Sequence, residues 1–102
     1  MVEKVFVLTQ SDKKTIEKIL FDENIHYLHM ILPEGDSLPE HYTNSTVYMT
    51  VVRGRLTIRL NDLKANEYEA GTLLKIPYNT KMNAANHQKD TLELIVIKAP
   101  AP

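Results

Sequence analysis

The chain has no cysteine and no tryptophan. Without cysteine, disulfide staples, thiolate nucleophiles and thiolate metal sites are excluded. There is no excess of either charge: the formal net charge is −1, which gives no general attraction for nucleic acid or for an anionic membrane. No apolar run approaches membrane-span length. The opening MVEKVFVLTQ is too short and too charged in its apolar part for a signal peptide. These absences lead us to expect a cytoplasmic protein. No internal repeat and no low-complexity linker divide the 102 residues, so a single domain is expected.

Glycine is the next scarce residue. There are three, and each stands at a fixed distance from another distinctive residue. The first stretch reads Gly35-DSLPE-His41-Y-Thr43-NST-Val47-YMTVVR-Gly54. The second reads Gly71-TLLKI-Pro77-Y-Asn79-TK-Met82-NAA-Asn86. Each glycine falls where a strand must turn sharply, and positive φ costs glycine little. Pro77 cannot donate to a ladder and should end the run before it. Asn86 can hold a turn through its side-chain amide.

Between these positions the pattern is mostly period two. Residues 25–32, 46–52, 55–60, 63–68, 72–76, 78–85 and 91–98 read as short strands with turns at close intervals, the signature of a sandwich or barrel. Residues 2–9 are apolar and β-branched and read as a further strand. Residues 11–24 read as one short helix. Ser11 suits the N-cap, Asp12 the first turn, and Ile16, Ile19 and Leu20 share a helical face.

The two glycine-anchored stretches resemble the paired signature motifs of the cupin family. The resemblance covers about residues 25–98 and implies an all-β double-stranded β-helix, or jelly-roll, barrel, preceded here by an N-terminal strand and helix over 2–24. In the family, two His and a Glu of the first motif and a His of the second hold a metal ion. Here His41 alone keeps its identity, and Thr43, Val47 and Met82 occupy the other ligand positions. Valine is no ligand, threonine is a poor one, and a thioether favours soft Cu(I) over hard divalent ions. The scaffold is kept while the ligands are not, so no cofactor is expected. The alternative is a divalent transition metal held by His41 with non-standard partners. His26 and His29 are three apart on a strand, point to opposite faces, and cannot both join it.

On the motif strand Val47, Met49 and Val51 share one face, which by the resemblance lines the barrel together with Met82 and Ala84. Two readings stay open. These side chains fill the barrel as core, or they line a small apolar pocket with His41 and Thr43 at its mouth, suited to an aromatic or aliphatic ligand. In the second reading the binding residues are His41, Thr43, Val47, Met49 and Met82, and the protein is a non-enzymatic binding, accessory or sensor module. The alternative is a metal-dependent cupin enzyme of isomerase or dioxygenase class, for which His41 is the one candidate. Arg53, Arg55 and Arg59 read as one charged strand face, neutralised by Glu67 and Glu69 across a hairpin. Tyr48, Thr50 and Val52 make the opposite face of the motif strand semi-apolar. The resemblance implies a homodimer joined through such sheet faces and through the N-terminal strand.

Overall fold

Asp22 makes the first turn. In the computed structural model, which describes Met1–Pro102, its Oδ1 accepts hydrogen bonds from the amides of Asn24 (2.8 Å) and Ile25 (3.0 Å). This Asx-type turn folds β1 (Thr15–Phe21) back onto β2 (His26–Leu32) as an antiparallel pair. The segment expected to be a helix is therefore half of a hairpin, and the chain contains no helix at all. Three β-branched residues, Thr15, Ile16 and Ile19, favour the extended backbone once a partner strand is at hand. Ser11 makes the bond expected of it, its Oγ accepting from the Lys13 amide at 2.9 Å, but in a turn that leads into a strand. The strand expected over residues 2–9 is also absent: the segment pairs with nothing, and Val2, Val5, Phe6 and Val7 are exposed.

Seven strands follow: β3 (His41–Tyr42), β4 (Val47–Arg53), β5 (Arg55–Leu60), β6 (Asn66–Glu69), β7 (Leu73–Ile76), β8 (Lys81–Ala85) and β9 (Leu92–Lys98). All but the two-residue β3, which the sequence pattern did not announce, lie close to their expected places, with β6 and β8 shorter at their starts. One sheet has the order β1-β2-β9-β4-β7 and the other β3-β8-β5-β6. Together they form an all-β jelly-roll barrel. Central strand β9 pairs with β2 on one side and β4 on the other. Its alternate residues Leu92, Leu94 and Val96 turn inward to meet Leu32, Met49, Val51, Leu56, Ile58 and their neighbours in one buried cluster.

The motif residues shape the backbone around this core. Gly54 has φ +82, and a Cβ there would overlap the carbonyl of Thr91, so the β4–β5 turn admits only glycine. Pro77 ends β7 directly after Ile76. Asn86 is fully buried. Its Nδ2 donates to the carbonyls of Leu32 (2.9 Å) and Asp90 (2.8 Å), and its Oδ1 accepts from the Gln88 amide (2.9 Å). It thereby ties the end of β2 to the loop that enters β9.

Arg53 does not share a face with Arg55 and Arg59. A bulge between Val51 and Arg53 adds one residue to β4 opposite β9. A one-residue slip turns a side chain to the other face of the sheet, and Arg53 comes to lie outside, opposite Glu93. There it joins a chain of polar contacts across four strands. Arg53 donates to Glu93 (2.9 Å), to Asp12 (2.6 Å) and to the Ser11 carbonyl (2.7 Å). Glu93 lies 2.6 Å from His29 Nε2, and Glu17 lies 2.8 Å from His29 Nδ1. Glu17 also accepts from the Thr9 amide (3.0 Å) and hydroxyl (2.6 Å). His29 is fully buried. Carboxylates only accept, so with both ionised the ring donates from both nitrogens. Arg55 pairs with Glu69 across the β5–β6 hairpin at 2.6 Å, as the sequence suggests.

These contacts set a pH dependence. Hydrogen bonds from the Thr9 hydroxyl, from His29 and from the Thr9 amide hold the Glu17 carboxyl at about 2, against a usual 4.5. Burial works to raise Glu93, but bonds from His29 and Arg53 outweigh it and keep this carboxyl below its usual range. A carboxyl depressed in the folded state contributes stability above its unfolded value, and that contribution fades as pH falls toward the folded value. Glu17→Gln should therefore lower the melting temperature at neutral pH, with the gap to wild type closing between about pH 4.5 and about pH 2. Thermal melts across that range check it. A gap that stays constant would mean that Glu17 is not held ionised by these partners.

Candidate functional site

The barrel is solid at one end and hollow at the other. The hollow end holds a cavity of ≈ 230 Å³ lined by twelve residues, eight of them hydrophobic. All five residues singled out from the sequence, His41, Thr43, Val47, Met49 and Met82, line it. Val47 and Met49 come from β4 with their alternate partners on the outer face. Met82 comes from β8, directly opposite His41 of β3. Ala84 faces the same interior but belongs to the packed part of the core.

The two polar members behave differently from one another. Thr43 is buried rather than at the mouth. Its hydroxyl donates to the Pro77 carbonyl (2.7 Å) and accepts from the Thr80 amide (2.9 Å). With the backbone bonds Thr43 N–H to Thr80 O and Asn79 N–H to Thr43 O, both 2.9 Å, it fastens the loop after β3 to the turn before β8. Its hydroxyl is thus engaged, and its hydrocarbon is what it offers the cavity. His41 is exposed. Its Nδ1 lies 2.9 Å from the Pro39 carbonyl oxygen, which accepts a hydrogen bond from Nδ1–H and leaves Nε2 as the free ring nitrogen.

Several lining residues escape a reading by motif. Met30 from β2, Leu38 from the loop before β3, and Lys98 at the end of β9 all border the cavity. Lys98 is legible in retrospect, because it continues the inward alternation of Leu92, Leu94 and Val96. With Met30 included, every methionine except the initiator lines this one space.

The four positions that would hold a metal in related proteins do not suit one. Val47 has no donor atom, the Thr43 hydroxyl is engaged by backbone, and Met82 offers a soft thioether, leaving a single imidazole for a hard divalent ion. His29 cannot help, being on the outer face of the sheet between Glu17 and Glu93. His26 is stacked on Phe21 with ring centroids 3.7 Å apart and does not border the cavity. No group of three or more His, Asp or Glu side chains in the chain is arranged to hold a metal ion.

No protein-family model matches the sequence. An uncharacterized protein of Methanocaldococcus jannaschii is 37% identical over 103 residues, covering 100% of this chain and 89% of its own length. The crystal structure of that protein, described as an RmlC-like cupin family protein with a double-stranded β-helix fold, superimposes on all of this chain with a TM-score of 0.97 at 36% identity, covering 94% of the archaeal chain. The chain belongs to the cupin family. A cupin superfamily protein from Desulfitobacterium hafniense shares the fold at 11% identity, with a TM-score of 0.77 over 91% of this chain and 83% of that one. The barrel is thus shared with a cupin superfamily protein of low sequence identity. No helix is long and apolar enough to cross a membrane.

The geometry makes Thr43 a fastener, and this can be checked. Thr43→Val keeps the shape but leaves the buried Thr80 amide without its acceptor, which costs about 1–3 kcal/mol. Urea denaturation should show that loss, and Thr43→Ser should recover most of it. Equal stability of Thr43→Val and wild type would mean that the hydroxyl is free.

Proposed function

We propose that this cupin is a non-enzymatic binding protein, an accessory or sensor module of the cytoplasm, that takes a small apolar or aromatic molecule into the hollow end of its barrel. The observation that carries the reading is the cavity itself: ≈ 230 Å³ of space with a mainly hydrophobic lining, at the place where the sequence has replaced the family's ligand set. Small-molecule sites are typically concave and apolar with a few polar groups, and an engineered apolar cavity of ~150 Å³ admits benzene. A metal-dependent isomerase or dioxygenase built on His41 has less behind it, because His41 is the single residue at those four positions with a suitable free donor.

The methionines supply the test. With methyl-labelled methionine, the signals of Met30, Met49 and Met82 should shift together on titration with millimolar 4-methylbenzyl alcohol, while exposed Met1 stays in place as an internal control. Three unmoved core signals would sink the binding reading.

We propose also that the chain works as a homodimer. Val2, Val5, Phe6 and Val7, followed on the outer face of the larger sheet by Val52 and Leu73, expose apolar surface that a second copy would cover. Light scattering should report the dimer mass, and deletion of residues 2–8 should weaken the association. A monomer at micromolar concentration would refute it.

A further inference from the structure

Lys98 is the one ammonium that the barrel turns inward beside the cavity, and the chain provides nothing to balance it. It follows Leu92, Leu94 and Val96 on the inner face of β9 and sits opposite Val47. It is half-buried. The ion pairs of the molecule use Lys14, His29, Arg53, Arg55, Arg59 and Lys81, and Lys98 takes part in none. No Asp or Glu lines the cavity. His41 borders the same space, with its Nδ1 committed to the Pro39 carbonyl. Since the Thr43 hydroxyl is engaged, the Lys98 amine and His41 Nε2 are the only side-chain nitrogens or oxygens of the lining left without a partner.

A half-buried ammonium beside a cavity whose lining has no counter-charge is complementary to an anion, and such complementarity favours an acid over a neutral molecule of the same shape. We propose that the cavity takes a small organic carboxylate: an apolar ring or branched body among Met30, Met49 and Met82, and a carboxylate on the Lys98 amine, with its second oxygen able to accept from His41 Nε2 when that nitrogen carries a proton. This rests on the apolar-ligand reading above and names the ligand's chemical class. The size of the space favours a single ring with a short substituent over a fused ring system or a long acyl chain. A free phosphate ion fits poorly, because most of the lining is hydrocarbon and would be left facing a doubly charged ion.

The test compares two probes of nearly equal shape, 4-methylbenzoate and neutral 4-methylbenzyl alcohol, titrated against methyl-labelled methionine in the full chain. The acid should bind the wild-type protein at least about tenfold more tightly than the alcohol. Lys98→Met should abolish that preference, and Lys98→Arg should keep it. Equal affinities in the wild-type protein would overturn the carboxylate inference and leave the apolar cavity standing. Silence with both probes would overturn both. A preference for the acid that survives Lys98→Met would show that the charge is met elsewhere, which also overturns the assignment. The wild-type comparison decides the ligand class even if Lys98→Met fails to fold.

Discussion

Strand β9 is hydrogen-bonded on both edges, to β2 and to β4, so its alternation is imposed on the whole larger sheet. A residue of β9 that turns inward brings its partners on both neighbours inward with it. Leu94 sets Met30 and Val51 in the core, and Val96 sets Leu28 and Met49. The same rule sends Glu93 outward to meet His29 and Arg53, and sends Lys98 inward at the end of the strand where the packing stops. Sliding β9 by one residue would place Glu93 and two isoleucines where the core now is, and every other element would lose its complement.

Much of the scaffold was legible because its positions constrain backbone, and backbone constraints leave local traces. Gly54 marks a turn with no room for a Cβ, Pro77 a strand end, and Asn86 a buried cross-tie between β2 and the loop before β9. The site was legible to the extent that motif spacing brought His41, Thr43, Val47, Met49 and Met82 to one cavity. What each does there was not. The sequence could place Thr43 at the pocket but could not show that the Thr80 amide and the Pro77 carbonyl together engage its hydroxyl.

The misses share a cause: each turned on a partner distant in sequence. The segment after Ser11 carries a helical spacing of Ile16, Ile19 and Leu20, and locally that reading is sound. The hairpin with β2 overrides it, because extended β1 can pair along an edge and a helix could not. Arg53 changed faces through a bulge that no local pattern announces. His29 looked like one of two candidate ligands on a strand, and its role came from Glu17 and Glu93, one twelve residues before it and the other far along the chain. Residues 2–9 look like a strand and lack a mate within the chain.

The methionines at the hollow end have one further consequence. A wall of valine or isoleucine is stiff, since branching at Cβ restricts the side chain to few rotamers. Met30, Met49 and Met82 are unbranched, with several rotatable bonds and a polarizable sulfur. They project from three strands, on both sheets, into the same space. The interior can therefore change its outline by rotating side chains while every strand stays in place. Shape selectivity built on such a lining is loose, so discrimination among occupants of similar bulk falls to the fixed points around it, where the backbone sets the positions of the polar groups.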